Sequence, residues 1–551
     1  MSSTTKRFIV VGLSLLLINI LSAFVYTRVD LTQDKRYTLS GGTRQLLATL
    51  PAHIHVDVFL TGNLPPGFKR LETAVRETLD EFEAEAGSSV SVRFVDPISG
   101  TSDEQMKRLD RLAKLGLQPT NLFASQGGKR TEQLIVPGAV VSFEGKEAGV
   151  LLLKGNKAAT PAEQLNQSYE GVEYQLAAAI RRLTQPEGSR RRVGLAYGHT
   201  QVPPERFSDL LASIQEQYDL FFVDLKKPGP VEGVDALLVL KPDQPFDESD
   251  VFKIDQYVVK GGRALFFVDG QRVDSVSDQG SYAQPMLLGL DNLFFNWGAR
   301  INRNVVKDLT SGVIPLDVGT LGDKPNVQLV PWRFYPVLNS FGESPITRNM
   351  DAIYSRFLST MDTVKARGIQ KTVLLKTSPY TTILNLPALV SYNEARQQPD
   401  PATYTGGVRM AGVLLEGQFT SLFANLLLPD SLTRGFKAKG SPAKVLICAD
   451  GDLVVNDVDY KRKAPLPLGY DRFSQNQFAN KDFVLNAIDY MVDPEGLIMA
   501  RTREVPLRPL DTVKVGQERT VWQAINVLGP LILLAVGGMV WQLLRRRRYA
   551  K

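Results

Sequence analysis

The sequence predicts an α/β protein held to a membrane at both ends. Two predominantly apolar runs, residues 8–26 and 522–544, bracket the 551-residue chain. Each can cross a hydrocarbon core of roughly 30 Å as a helix rising about 1.5 Å per residue. Between them, short strand-like runs alternate with segments whose apolar residues recur every three or four positions. Some runs, above all Ala-Leu-Leu-Val-Leu at 236–240, are apolar at every position, as a strand covered on both faces of a parallel sheet requires.

The flanking charges set an orientation. Lys6 and Arg7 precede the first run; Arg545, Arg546, Arg547, Arg548 and Lys551 follow the second. Basic flanks stay in the cytoplasm, so both tips are expected there and the body in the periplasm, outside the inner membrane. These seven charges exceed the net +6 of the whole chain, which leaves a body near −1. A body without a basic excess argues against nucleic-acid binding; the Arg run reads as a topology signal and lipid-headgroup anchor. The first run exceeds a signal-peptide core, and Leu21-Ser22-Ala23 has Leu where a small residue is wanted, so an uncleaved anchor is expected. Asn19, Gly529-Pro530 and Gly537-Gly538 lie inside the runs. They suit helices of a larger membrane complex, or equally a tolerated Asn and a mild kink.

The first block is residues 27–154. Ser40 can N-cap a helix over 41–50. Residues 53–60 alternate as a strand, and 66–86 carry Phe68, Leu71, Val75, Leu79 and Phe82 on one helical face. Residues 89–95 alternate again, 104–115 form a helix ended at Gly116, and 140–143 with 148–153 flank a hairpin turn at 144–147. This β-α-β-α-β-β order, with Val-Pro-Gly-Ala-Val-Val-Ser-Phe-Glu-Gly at 136–145, resembles thioredoxin-like domains. No Cys-x-x-Cys occurs, so their redox chemistry is absent. Residues 155–190 hold an amphipathic helix over 162–183, whose stripe of Leu165, Tyr169, Val172, Leu176, Ile180 and Leu183 is expected to pack on the next domain.

That next domain covers 191–500. Strands at 193–196, 220–223, 236–240 and 264–268 alternate with helices at 205–218 and 249–260, the second stopped by Gly261-Gly262, so a doubly wound parallel sheet is predicted. Residues 271–443 read as a β-rich insertion with strands at 372–376, 380–384 and 408–415 and with Trp332, Tyr335 and Phe341 packed inside. Strand-like 445–448 and 453–455 and a helix over 481–491 return to the sheet. A polar linker runs from about residue 497, with the domain boundary at 500 and the linker over 501–521; the tail is 545–551.

No catalytic, cofactor-binding or metal site is predicted. There is no P-loop, no G-x-S-x-G elbow and no H-E-x-x-H. His53 and His55 share a strand face but lack further ligands. His199 follows a strand, where open α/β sheets bind ligands, and is equally a loop His. Asp450-Gly451-Asp452 with Asn456 could hold a hard cation or form a tight turn. Cys448, the single cysteine, reads as a core thiol.

A series of motifs in order resembles one family. It comprises Val-Asp-Leu-Thr-Gln-Asp-Lys-Arg-Tyr-Thr-Leu-Ser at 29–40, Lys-Ile-Asp-Gln-Tyr at 253–257, and Leu-Lys-Thr-Ser-Pro-Tyr-Thr at 375–381. It continues with Val-Leu-Leu-Glu-Gly at 413–417, Phe-Thr-Ser-Leu-Phe at 419–423, Leu-Gly-Tyr-Asp at 468–471 and Asn-Lys-Asp-Phe at 480–483. Nearly full length, it resembles the gliding-motility-associated ABC transporter auxiliary, or substrate-binding, family GldG of Bacteroidetes. The resemblance implies partnership with an ABC permease and a cytoplasmic ATPase, besides membrane lipids. It also implies a central domain of the glutamine-amidotransferase-like fold shared with intraflagellar-transport proteins. That enzyme class needs a Cys nucleophile and a His; Cys448 sits late in an apolar run, so a non-enzymatic subunit is expected. Two alternatives stay open: an anchored envelope hydrolase or carbohydrate-binding enzyme using Asp450, Asp452 and His199, and a cargo-binding receptor.

Overall fold

The computed structural model describes residues 38–502 and 512–549, except 63, 127–128, 156–159, 187, 274, 322–323, 428–434, 460 and 494, together with Gly12, Ser14 and Asp30. The expected first membrane run, 8–26, therefore lies almost wholly outside the described residues. The chain divides into two compact units, Met1–Glu504 and Val505–Lys551.

The first unit opens with α1 (Gly41–Ala48), N-capped as expected by the Ser40 hydroxyl, which accepts the Thr43 N–H at 3.2 Å. Then come β1 (Ile54–Val58), α2 (Pro66–Ala86), β2 (Val90–Phe94) and α3 (Ser102–Lys114). A hairpin of β3 (Thr120–Gln126) and β4 (Lys129–Ile135) follows, then β5 (Gly138–Phe143) and β6 (Lys146–Leu151). The sheet runs β2-β1-β5-β6, with β1 and β2 parallel and the other pairs antiparallel. Glu144 and Gly145, both at positive φ (45° and 80°), close the β5–β6 turn. Two such residues match the right-handed strand twist. Leu71, Val75, Leu79 and Phe82 of α2 bury one sheet face; Leu112 of α3 joins Phe59, Val136 and Val140 in a second cluster. The β3–β4 hairpin was not legible in the sequence.

α4 (Pro161–Thr184) begins at a capping box, Thr160 with Glu163. Its Val172, Leu176 and Ile180 lie in the same core as α2. The stripe therefore completes the first core instead of packing on the next domain, a correction to the sequence expectation. The sheet face left by α2 is wide enough for two helices, and α4 fills the remainder.

The second sheet contains β7 (Arg192–Tyr197), β8 (Asp219–Asp224), β9 (Ala236–Leu240) and β10 (Arg263–Phe267), with α5 (Ser208–Gln215) and α6 (Glu248–Val259) between them. After α7 (Asp291–Trp297) the chain adds β11 (Ile369–Lys376), β12 (Met410–Thr420) and β13 (Lys439–Cys448), then α8 (Asn480–Val492). The order β8-β7-β9-β10-β13 is parallel throughout, and antiparallel β12 extends it toward β11. Leu238 and Leu240 of β9 face α5 and α8; Leu237 and Val239 face α6 and α7. Helices on both faces explain why β9 is apolar at every position.

Four readings need correction. The strands within 369–376 and 410–420 belong to this sheet and not to a separate lobe. Residues 453–455 are no strand; Gly451–Val454 is a 3-10 turn, in which the buried Asp450 carboxylate caps Asp452. The helix expected over 205–218 is a 3-10 turn, Pro204–Arg206, and then α5 alone, because Pro203-Pro204 delays the α geometry. Leu497–Thr502 is a 3-10 segment with Leu497, Ile498 and Ala500 buried, not polar linker: Leu497 enters the first core, and Ile498 and Ala500 pack with Tyr174. A four-residue apolar run is too short to show periodicity.

The lobe is β-rich. A long hairpin, Ser311–Leu321 with Lys324–Leu338, stands beside paired Asn304–Asp308 and Thr381–Asn385. Its core is Trp332, packed against Tyr335, Phe357 and Tyr392 at ring separations of 4.6, 5.6 and 5.0 Å. Phe341 packs instead against the central sheet core.

The second unit is α9 (Thr512–Tyr549). Its Glu518–Arg548 stretch is, among the described residues, the one helix long and apolar enough to span a membrane. Pro530 lies within it without ending it.

Candidate functional site

The parallel strands of the central sheet place polar residues together at their carboxyl ends. Each of β9, β10 and β13 ends its apolar run at one: Lys241, Asp269 and Asp450. Ligands bind at this edge in open α/β sheets. Asp269, Asp450 and Asp452 form an acidic cluster whose oxygens lie within 4.8 Å of one another.

The Lys241 ammonium occupies that cluster. Its Nζ lies 2.9 Å from Asp269 Oδ2 and 2.7 Å from Asp452 Oδ2. Lys241 takes positive φ, 41°, a conformation costly for a residue with a Cβ. Three further oxygens are engaged by backbone: Asp269 Oδ1 accepts Gly451 N–H at 2.7 Å, Asp450 Oδ1 accepts Asp452 N–H at 2.7 Å, and Asp450 Oδ2 accepts Arg356 N–H at 2.9 Å. A Cβ on Gly451 would stand 2.7 Å from Lys241 Cγ and 3.0 Å from Asp269 Oδ2, so the cluster is closely packed. Burial tends to discharge Lys241, but Asp269 and Asp452 override it and hold the ammonium charged. Burial, then the charges of Asp452 and Asp269, push Asp450 up to about 8. A lysine-filled cluster containing a neutral acid fits a divalent cation poorly, since the ammonium already stands where the charge would.

His199 does not join Asp450 and Asp452. It lies past β7, 4% exposed, stacked on Phe246 at 3.9 Å, with Nε2 3.0 Å from Asp250 Oδ2 at the start of α6. Lys226 Nζ meets the same Asp250 oxygen, Oδ2, at 2.5 Å. His199 Nδ1 and Asp250 Oδ1 are buried without hydrogen-bond partners. His53 and His55 both meet Ser91 Oγ, at 2.8 Å, and His55 also meets Asp57, at 2.9 Å. Arg93 grips Asp57 with both ends of its fork, Nε on the Oδ1 that His55 meets and Nη2 on Oδ2. Cys448 is buried in β13, and burial raises its thiol far above the usual range, which leaves it unreactive.

Sequence reasoning missed Lys241, Asp269 and Asp250. For Lys241 and Asp269 the usable signal was a polar residue ending an apolar run; Asp250, inside α6, gave none. It also missed Asp489 of α8, which accepts the hydroxyls of Tyr174 and Tyr218 and pairs with Arg181 at 2.6 Å, tying α4 to the central layer. Beside this tie lies a cavity of about 200 Å³, lined by α4, residues 348–351, α8 and Arg501.

The geometry is that of a doubly wound α/β body with a carboxyl-edge cluster filled by its own lysine, in a chain that also carries a helix of membrane-spanning length. Residues 190–487, over half the chain, match the family described as ABC-type uncharacterized transport system, and the chain belongs to that family. It is an accessory component of an ABC-type transport system and associates with transporter components. Residues 33–142 match a domain of unknown function, DUF7088. No curated protein matches. Among solved structures, the mmIFT52 N-terminal domain aligns with 10% identity and a TM-score of 0.30, over 55% of this chain and 97% of that one.

Proposed function

We propose that this chain is a non-enzymatic subunit anchored in the inner membrane by residues 8–26 and 522–544, its body in the periplasm over the outer mouth of an ABC permease. ATP hydrolysis belongs to a separate cytoplasmic ATPase, and the complex serves export or gliding motility. The observation that carries this reading is the family match across the central domain, joined to an apolar helix that ends in Arg545–Arg548. The sheet order β2-β1-β5-β6 supports a thioredoxin-like first domain over 27–154. The parallel run β8-β7-β9-β10-β13 supports an amidotransferase-like domain over 191–500, with 155–190 as connector and 501–521 as linker. Lys241 weighs against the hydrolase alternative, because it neutralises the carboxylates a general acid–base pair would need free. Affinity purification in mild detergent tests the proposal: a permease and an ATPase should travel with the chain, and purification of the chain alone would overturn it.

A receptor role has one observation in its favour, the cavity between α4 and the central layer, whose lining includes polar and charged side chains.

A further inference from the structure

Two arginines are buried among the described residues, Arg333 and Arg501; Arg333 gives its hydrogen bonds to the carbonyls of Pro331, Glu394 and Gln397, whereas Arg501 faces a cavity. Arg501 is 9% exposed and lines the 200 Å³ cavity. Its Nη1 donates to Asn486 Oδ1 at 3.1 Å, its Nη2 donates to the Arg348 carbonyl, and its plane lies over Tyr174 at 5.2 Å. Its Nε has no hydrogen-bond partner. No carboxylate forms an ion pair with it among the described residues. The two other cations lining the cavity are paired, Arg348 with Glu170 at 3.4 Å and Lys154 with Asp482 at 3.5 Å. Burial works against the Arg501 charge. An unpaired buried guanidinium is costly, and it is satisfied best by an anion that accepts charge-assisted hydrogen bonds.

The opposite wall is one face of α4. Gln164, Gly171 and Gln175 repeat there at helical spacing, and the side-chain amides of Gln164 and Gln175 make no hydrogen bond to described residues. Gly171 lies inside the helix, where a Cβ would meet nothing within 4 Å. A glycine in a helix interior is destabilising relative to alanine, and here it leaves the cavity wall without a side chain.

We propose that this cavity binds a small carboxylate-bearing molecule, its carboxylate on the Arg501 guanidinium and its remaining polar groups on the amides of Gln164 and Gln175. One unpaired cation calls for one negative charge; a phosphate dianion would need a second. The site is separate from the lysine-filled cluster and does not depend on the transporter assignment.

The test is a thermal titration of the full-length protein in detergent with glutamate, glucuronate, lactate, inorganic phosphate and, as a neutral control, glucose. A ligand of the native state raises the melting midpoint in a saturable way. At least one carboxylate should do so, and glucose should not. Arg501→Gln should weaken that carboxylate about tenfold or more, the scale of a lost charged hydrogen bond. Gly171→Leu should abolish binding by filling the space while leaving Arg501 in place, and it serves if Arg501→Gln does not fold. No shift with any carboxylate, a shift with phosphate alone, or unchanged carboxylate binding in Gly171→Leu would overturn the proposal. An amino-acid, sugar-acid or hydroxy-acid preference would name the source.

Discussion

Replacing Lys241 by Met tests whether the acidic cluster is a structural ion pair or a metal site. The ammonium sits 2.9 and 2.7 Å from two carboxylates in a largely buried setting, with Asp450 adjacent. Methionine keeps much of the stem's volume but removes the charge. Removing one partner of such a buried pair costs about 3–5 kcal/mol, because the carboxylates stay behind uncompensated. The carboxylates can relieve part of that by taking up protons, so the loss should be largest near pH 8 and smaller near pH 5. With the lysine gone, three carboxylates converge on an open centre and a hard cation gains a place. Thermal melts of both proteins at the two pH values, with and without millimolar CaCl2, read all of this. Calcium should raise the midpoint of Lys241→Met and leave the wild type unmoved. If calcium stabilises the wild type as much as the variant, the lysine does not fill the site; if the variant melts with the wild type at pH 8, the pair holds nothing.

Other outcomes follow from the same geometry. Asp489→Asn and Arg181→Met should each destabilise by about 3 kcal/mol, and the double variant should fall short of their sum by about 1–3 kcal/mol; additivity in denaturant melts would refute the coupling of α4 to α8. Asp450, at about 8 in the fold against an ordinary value of 3.8, favours the folded state when protonated. That contribution is complete below about pH 4 and is lost as pH rises through 8; the wild-type midpoint should decline between pH 5 and 8, and Asp450→Asn should flatten the decline. Gly171→Ala, entering open space in a helix, should stabilise by roughly 0.5–1 kcal/mol, and a lower midpoint would contradict the Cβ geometry. Trp332→Ala should cost about 3–5 kcal/mol, since its ring holds the lobe core with Tyr335, Phe357 and Tyr392; a smaller loss would mean the lobe repacks.

The elements legible in the sequence were those with a strong period or a strong cap. The helix at 66–86 and the strand at 236–240 occur at the expected bounds, because Leu71, Val75, Leu79 and Phe82 repeat at helical spacing and β9 is apolar throughout. Pairing that depends on distant segments was hidden. β12 looks like any apolar strand until β13 lies beside it, and the destination of the α4 stripe depends on how much sheet α2 leaves uncovered. At the carboxyl edge, Asp450-Gly451-Asp452 was visible as a turn or a cation site. Lys241, roughly 200 positions earlier, settles the balance toward an ion pair, and no local pattern links them. Arg501 is still less visible, since only its depth, its unpartnered Nε and the cavity it lines distinguish it.

The most direct measurement of the central claim is the composition of the complex taken from native membranes with the full chain as bait. An accessory subunit of an ABC transporter should bring down one permease and one ATPase in fixed ratio. Deleting residues 512–551, which removes α9, should break that association while the body stays folded. A chain that emerges alone, or whose partners include no ATPase, would contradict the account.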